Sequence, residues 1–269
     1  MFTGDYSLFE YKYNIPGYSG QDYGGTAQYL YLAVSALILV VLLVLLRKMP
    51  KKNVLKFIGA LGIFLTVLDI AKITWESYYD IKIYGEFNTG LLPFDTCSLI
   101  VPAALLAGFA KGRLQKIAEC WIATGGIVGG FATMLFLKAF KYYPFFSFGA
   151  AYSMIWHFLM VFMGLLIIVT ERSPIKFSLV TNGYLFHLIA SAIVIPIDFI
   201  FDFDFMLYRD LGGVPFFEDI AAKLAESGKS FLNPLLMLIL YFVSFSLIFI
   251  VVACIKNRKK RGSKVKKHI

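Results

Sequence analysis

The sequence predicts an all-α protein, a bundle of seven helices that cross a membrane. Of the 269 residues, 59% are hydrophobic and only 16% are charged, whereas a soluble domain carries about 25% charged residues. The apolar residues fall into seven runs, each close to the roughly 20 residues that a helix needs to cross hydrocarbon. Long apolar runs satisfy their backbone hydrogen bonds in lipid only as helices. A polytopic membrane protein is therefore expected.

The seven runs follow an N-terminal arm and precede a basic tail. The arm, residues 1–26, is rich in tyrosine, which suits a membrane interface. We predict that it lies on the surface, with a flap over a pocket mouth as the alternative. It lacks a basic leading segment, so no cleavable signal peptide is expected. The predicted spans, which together form one membrane domain of residues 27–255, are 27–47, 54–76, 90–110, 115–137, 147–170, 177–201 and 231–255.

The basic residues predict the orientation of the bundle. Of the 26 Lys and Arg residues, 18 lie in the loops after the first, third and fifth spans and in the tail, 256–269. The positive-inside rule then places the N-terminus outside and the C-terminus in the cytoplasm. The net charge is +9, but eight basic residues directly follow the last span, which is typical of binding to anionic lipid rather than nucleic acid. We expect a multi-pass protein of the cell membrane.

The longest connection, 202–230, lies on the predicted outer side. It contains Gly212, Gly213 and Pro215, followed by a predicted amphipathic helix from Glu218 to Glu226. Loops of this length are usually functional or disordered, and this one is suitably located to cover a pocket. No internal repeat is visible, which disfavours transporters built from inverted repeats.

Ionisable residues concentrate in the outer half of the predicted bilayer. At 1.5 Å per residue of helix, Cys97 lies about 10 Å and His157 about 15 Å below the outer surface. An Asp at a helix centre costs about 2.5 to 3.5 kcal/mol on insertion, so the cluster predicts either a functional site or polar packing. Asp69 and Lys72 share a helix face and are expected to pair. The outer-half residues are Asp69, Lys72, Asp95, Cys97, His157 and Asp198, while His187 lies near the middle of its span and Glu119 and Asn182 lie in the inner half.

The three cysteines, Cys97, Cys120 and Cys254, lie in apolar runs without the spacing of a disulfide framework or a metal site. We therefore predict no metal and no cofactor. Cys120 and Cys254 are interpreted as small hydrophobic residues. Cys97 differs because it follows Pro93 and because His157 reaches its depth.

A thiol and an imidazole at one depth favour acyl transfer. The imidazole takes the thiol proton, and the thiolate attacks an ester to form a thioester. Asp95 or Asp198 is a candidate to orient the imidazole, as the third member of a catalytic triad does. Thr96 or Ser98 is a candidate donor to the oxyanion. These supporting roles rest on proximity in the predicted topology.

The sequence Leu92-Pro93-x-x-x-Cys97, with His157 in the fifth span, is similar to the YwaF-like family of integral membrane proteins, which includes proteins of the transmembrane protein 164 type. The resemblance implies a cysteine- and histidine-dependent acyltransferase with catalytic Cys97 and His157, acting on phospholipids or lysophospholipids. We expect Trp156, His187 and Asn182 to contact the substrate. After the sixth span the sequence departs from the family's Pro- and Trp-rich pattern, which leaves the acceptor and the lid open.

Three other functions compete with this hypothesis. The family also resembles lipid hydrolases that use Thr and His, so Thr96 with His157 is an alternative catalytic pair. A solute or ion transporter would use Asp69, Lys72, Asp198 and His187 as a polar path. A retinal photoreceptor is disfavoured because 231–255 contains no lysine for a Schiff base.

Overall fold

The computed structural model of the chain describes residues 7–11, 25–135, 143, 146–172, 175–209 and 218–265. Within these residues seven helices are long and apolar enough to cross a membrane, and no strand occurs. The predicted fold class and all seven predicted spans are thus confirmed. We refer to the helices as the first to seventh spans: Thr26–Leu46, Lys51–Tyr84, Thr89–Phe109, Gly112–Leu135, Phe148–Val169, Ser178–Phe201 and Ser230–Asn257.

The fourth span is the centre of the bundle. Its most apolar stretch is 72% buried, against 11% for the first and the seventh spans. A π turn, Ile122–Gly126, interrupts its α-helix. Glycines along the span let neighbours approach closely: a Cβ atom added at Gly125 would meet Phe245 of the seventh span at 2.8 Å, and one at Gly130 would meet Val161 of the fifth at 2.9 Å. The fourth span therefore sets where the surrounding helices lie.

The second span is longer than predicted and reaches Tyr84 instead of residue 76. Its 34 residues extend about 50 Å, well beyond the roughly 30 Å of a hydrocarbon core. The sequence criterion ended the span where charged residues begin, but polar residues continue a helix when other parts of the chain pack on it. The helix stops at Gly85, whose φ of 78° is the left-handed conformation that glycine adopts at little steric cost.

The described part of the N-terminal arm packs on this extension. Tyr11 is fully buried, its ring stacks on Tyr79 with centroids 5.0 Å apart, and its hydroxyl donates to Asp80 at 2.5 Å. The Phe148 amide, at the start of the fifth span, donates to the Leu8 carbonyl at 2.7 Å. Residues 7–11 thus contact the second and fifth spans, while the side chains of Leu8 and Phe9 stay about half exposed; a surface position for the whole arm stays a prediction. Tyr6, Tyr13, Tyr18 and Tyr23 lie outside the described residues.

The third span begins irregularly, and its α-helix runs only from Ile100 to Phe109. Pro93 disfavours the helical conformation in the residue before it, and Leu92 is extended, with φ −62° and ψ 140°. Asp95 is extended as well, and the 3₁₀ turn Thr96–Leu99 then leads into the α-helix. The Leu-Pro-x-x-x-Cys motif therefore delivers Cys97 to the first turn of a membrane helix.

The connection after the sixth span begins with a tight turn. The helix ends at Phe201, and the turn Phe205–Leu207 holds two non-glycine residues in the left-handed region, Met206 at φ 55° and Leu207 at φ 61°. The predicted helix Glu218–Glu226 is confirmed. Gly212, Gly213 and Pro215 lie outside the described residues.

Candidate active site

Cys97 is held by side chains from the fourth and fifth spans. Its Sγ lies 3.7 Å from Oγ1 of Thr133 and would lie 3.9 Å from a Cβ atom built on Gly129. Its carbonyl oxygen accepts a hydrogen bond from Nε1 of Trp156 at 3.2 Å. The side chain is half-buried, in contrast to the buried Cys120 and the exposed Cys254. Cys97 is thus the cysteine that combines partial exposure with fixed polar neighbours.

The helix start also favours negative charge at Cys97. The first amides of a helix have no carbonyl partner within it, and the amides of Thr96 and Cys97 bond to no described backbone carbonyl. The helix dipole adds partial positive charge at the same end. A thiolate or an oxyanion here is therefore stabilised by the backbone itself.

His157 carries its proton on the nitrogen that faces its own helix. Nδ1 lies 2.7 Å from the carbonyl oxygen of Ser153, and a carbonyl can only accept, so Nδ1 donates. In the neutral imidazole the other nitrogen, Nε2, then carries the lone pair. Nε2 has no hydrogen bond to any residue that the structure describes. This is the tautomer that a general base requires.

Consecutive glycines of the fourth span lie against the thiol of Cys97 and the backbone of His157. Gly129 faces Sγ of Cys97, and a Cβ atom added at Gly130 would lie 2.9 Å from the carbonyl oxygen of His157. Trp156, the residue before His157, binds the Cys97 carbonyl. In the described chain the thiol is hydrogen-bonded to Thr133 rather than to the imidazole. Transfer of the thiol proton to Nε2 stays a prediction.

The two carboxylates expected to orient His157 hold a backbone turn instead. Asp198 accepts from the Phe205 amide at 2.9 Å, and Asp95 accepts from the Met206 amide. The left-handed turn points these amides inward, where they need acceptors. Within the described residues neither carboxylate is bonded to His157, whose Nδ1 is bound by Ser153. The structure thus corrects the expected triad: a backbone carbonyl takes the orienting position.

Asp69 and Lys72 do not pair with each other, contrary to expectation. Lys72 forms an ion pair with Glu76 at 2.8 Å, and Asp69 accepts from the Tyr152 hydroxyl at 2.8 Å. Tyr152 of the fifth span lies opposite Asp69 and competes with the lysine. The Tyr152 ring is also 5.2 Å from that of Trp156, so this cluster adjoins the Cys97 region. Sequence reasoning missed Glu76 and Tyr152 because their partners depend on how the two helices pack.

Further polar contacts follow the same face of the second span toward its C-terminal end. The Tyr143 hydroxyl donates to Glu76 at 3.2 Å. Burial, the main cause, and the charge of Glu76 raise the pKa of Tyr143 above its ordinary value, so the phenol remains a neutral donor. One helical turn beyond Glu76, Asp80 accepts from the Tyr11 hydroxyl. Each carboxylate in the series Asp69, Glu76 and Asp80 is therefore hydrogen-bonded to a tyrosine.

A second polar network joins the sixth and seventh spans to the Cys97 turn. The Thr96 and Tyr241 hydroxyl oxygens are 2.6 Å apart, and the Tyr241 ring lies 4.1 Å from that of His187. Tyr208 contacts both Ser191, at 2.5 Å, and Nε2 of His187, at 3.3 Å. Burial raises the pKa of Tyr208 to about 12, so it stays protonated. His187 is thus linked to Thr96 through the ring and the hydroxyl of Tyr241.

Other predicted residues lie apart from this region. Asn182 is half-buried near the start of the sixth span, about 24 Å along the helix from Asp198. It lies toward the end of the bundle where Glu119 pairs with Lys116 and Arg172. Ser98 is half-buried, and its amide donates to the Asp95 carbonyl. The structure therefore does not bring Asn182 to Cys97.

No group of three His, Cys, Asp or Glu residues among the described ones is arranged to hold a metal ion. A cavity of about 440 Å³ is lined by Phe199, Asp204, Arg209 and Ser230. It adjoins the turn after the sixth span rather than Cys97. An apolar substrate groove beside Cys97 stays a prediction.

Comparison with known proteins gives one match. A family model described as the TMEM164 family matches residues 23–257, which include all seven spans. No curated protein and no solved structure matches the chain.

Proposed function

The chain belongs to the TMEM164 family, and from this membership we propose that it is a membrane-embedded acyltransferase. It transfers a fatty acyl group from a phospholipid through a thioester on Cys97. One observation supports the proposal: the Cys97 thiol lies against Gly129, and the backbone of His157, whose Nε2 is unbonded to the described residues, lies against Gly130. A nucleophile and a base on neighbouring helices are the minimum that covalent acyl transfer needs.

The first half-reaction forms the thioester. Nε2 of His157 takes the proton of the Cys97 thiol, and the thiolate attacks the ester carbonyl of the donor lipid. The carbonyl π electrons move to oxygen and give a tetrahedral oxyanion. When this collapses, the C–O ester bond breaks, and the departing alkoxide takes the proton from the imidazolium. The products are a lysophospholipid and an acyl-Cys97 thioester.

The second half-reaction returns the enzyme to its starting state. The hydroxyl of an acceptor lysophospholipid gives its proton to Nε2 and attacks the thioester carbonyl. The C–S bond then breaks, and the departing thiolate takes the proton back. A lipid acceptor is favoured over water because the site lies within apolar helices whose outer faces are suited to hydrocarbon.

Thr96 is the weaker candidate for the nucleophile. Its hydroxyl is 2.6 Å from the Tyr241 phenol, and a neutral phenol is no base. Cys97 carries the more nucleophilic side chain at neutral pH. We therefore assign the attacking atom to Cys97.

Ion or solute transport is the second candidate function. The carboxylate–tyrosine series along the second span, from Asp69 to Asp80, supports it, because intramembrane ionisable groups often mark ion pathways. The series adjoins the Cys97 region through Tyr152 and Trp156. In the predicted inner half, the described residues include Glu119, which forms ion pairs with Lys116 and Arg172. This arrangement suits a site entered from one side better than a continuous path.

The test uses purified protein in nanodiscs with an isotope-labelled phospholipid donor and a lysophospholipid acceptor. We expect labelled product and a hydroxylamine-sensitive acyl group on Cys97, detected by mass spectrometry. Cys97→Ala should lose both, while Cys254→Ala, the exposed-cysteine control, keeps both. Acyl transfer that survives Cys97→Ala would overturn the proposal. Ion flux in liposomes that survives the same substitution would support transport.

A further inference from the structure

The seventh span reaches the Cys97 turn through a single hydroxyl. The phenol oxygen of Tyr241 lies 2.6 Å from Oγ1 of Thr96, although 145 positions separate the two residues. Resting on the proposed acyl transfer, we propose that Tyr241 is a positioning residue that turns the Thr96 hydroxyl toward the oxyanion formed at Cys97. Thr96 would then donate to the developing negative charge.

The direction of this hydrogen bond follows from the chemistry of its two groups. A phenol is more acidic than an aliphatic alcohol and is therefore the better donor, whereas the alcohol oxygen is the better acceptor. Tyr241 accordingly donates to Thr96. The one hydroxyl proton of Thr96 then remains for another acceptor, and no further hydrogen bond joins this hydroxyl to a described residue. The hydrogen bond from Tyr241 therefore leaves the Thr96 hydroxyl free to donate, and it restricts the direction in which that hydroxyl proton points.

Helix packing brings Tyr241 to the depth of the thiol. Phe245 of the seventh span lies against Gly125 of the fourth. Successive spans alternate in direction, so the fourth and seventh run antiparallel. One helical turn from that contact, about 6 Å, leads to Gly129 on the fourth span and to Tyr241 on the seventh. Gly129 is the residue that faces Sγ of Cys97. The Thr96 and Tyr241 hydroxyls therefore lie at the same depth along the bundle as the Cys97 thiol.

The Tyr241 ring is fixed by the network behind it. Ser191 donates its proton to the His187 carbonyl at 2.8 Å, so it accepts from Tyr208. The Tyr208 oxygen then accepts from Nε2–H of His187. With every proton in this cycle assigned, the imidazole has one orientation. Its ring lies 4.1 Å from that of Tyr241 and supports the phenol in the position that reaches Thr96.

This geometry selects Thr96 over Ser98 as the side-chain donor. Among the described residues the Ser98 hydroxyl has no hydrogen-bond partner to fix its rotation. A donor that is already oriented stabilises a developing charge without reorganisation during the reaction. The unpaired amides of Thr96 and Cys97 lie in the same turn and would complete an oxyanion-binding turn.

The test measures kcat, KM and folding in four variants with the donor and acceptor lipids described above. Thr96→Val should lower kcat about 100- to 1,000-fold, the usual loss for one oxyanion donor. Tyr241→Phe, which removes only the hydroxyl, should lower kcat about tenfold or more with an unchanged KM. The double variant should be no worse than Thr96→Val, and Thr96→Ser should recover most of the activity.

Two measurements separate positioning from general damage. In Tyr241→Phe the thermal midpoint in detergent should fall by no more than the loss of one hydrogen bond implies, and the rate of Cys97 labelling by a small thiol reagent should stay unchanged. Tyr184→Phe is the matched control, because its hydroxyl donates to the Leu238 carbonyl, and it should keep wild-type kcat. Full activity in Tyr241→Phe, or losses that multiply in the double variant, would overturn the inference. If Cys97→Ala is itself active, the proposed function fails instead.

Discussion

The Trp156 indole donates from Nε1 to the Cys97 carbonyl oxygen at 3.2 Å. This bond joins the fifth span to the first turn of the third. It starts one residue before His157 and ends on Cys97 itself, so it fixes the two candidate catalytic residues relative to each other without involving either functional group. The bond therefore links the backbones of the two candidates, in addition to the hydrogen bonds that their side chains make to Thr133 and Ser153.

Cys97→Ser and His157→Ala should each nearly abolish acyl transfer. The two act as a unit: without the imidazole the thiol keeps its proton, and without the thiol the imidazole has no strong nucleophile to activate. The double variant should be hardly worse than either single one. Product formation by mass spectrometry measures this, with protein yield as the control. Full activity in Cys97→Ser would shift attention to Thr96.

Trp156→Phe should lower kcat about tenfold and stability by about 1 kcal/mol, the net worth of one hydrogen bond. The phenyl ring keeps most of the packing but leaves the Cys97 carbonyl without its donor. Trp75→Phe is the matched control, because its Nε1 donates to the Phe9 carbonyl at 3.1 Å in the C-terminal part of the second span. The control should lose similar stability and keep its kcat. Equal kcat in the two variants would contradict the role of Trp156.

Gly130→Ala should destabilise the protein by about 1 to 3 kcal/mol, as overpacking does. The added methyl would meet the His157 carbonyl oxygen and Cβ of Met160, both at 2.9 Å, and neither atom can swing away. Gly129→Ala should be tolerated, because its nearest neighbour is the flexible end of Met160 at 3.3 Å. Denaturant or thermal unfolding in detergent gives the comparison. A Gly129→Ala protein less stable than Gly130→Ala would refute it.

Asp198→Ala should loosen the turn Phe205–Leu207 and reduce activity less than His157→Ala does. The substitution removes the acceptor of the Phe205 amide, so that amide should exchange hydrogen faster. Asp198→Asn retains an acceptor oxygen and should behave almost like wild type. If Asp198→Asn were as inactive as His157→Ala, the carboxylate would have to orient the imidazole after all.

The basic tail should face the cytoplasm, because 18 of the 26 basic residues lie on that side of the predicted topology. A reporter fused after Asn257 and protease protection of sealed vesicles both measure this. External cleavage of the tail would invert the bundle and place Cys97 and His157 in the inner half.

Composition and apolar run length were sufficient to predict the seven spans, since a span depends mainly on its own residues. Partners across helices were not predictable in the same way. Asp69 was assigned to Lys72 on spacing alone, but Tyr152 of another span binds it. The end of the second span was missed because Tyr11, far away in sequence, packs on its extension.

In the candidate site, too, the residues within a span were easier to predict from the sequence than their partners on other spans. Cys97 and His157 could be proposed as the catalytic pair because polar residues in apolar runs are rare and because the predicted topology gave their depth. That assignment stays a prediction. Asp95 and Asp198 were expected to bond to the imidazole. They accept instead from two backbone amides of the turn after the sixth span. Those amides need acceptors because of the backbone angles at Met206, which no residue pattern signals. Tyr241 was not considered, since tyrosine in a membrane helix is ordinarily an interface residue.

The π turn Ile122–Gly126 absorbs one residue of the fourth span without turning the residues that follow it. Each residue of an α-helix advances the next by about 100°, and a π turn accommodates one more residue than an α turn. Deleting one residue inside the π turn would let it revert to α geometry and leave Gly129 and Gly130 in place. Deleting Ile127 or Val128, just after the turn, would instead rotate both glycines by about 100°. The same single-codon change is thus tolerated inside the turn and disruptive directly after it.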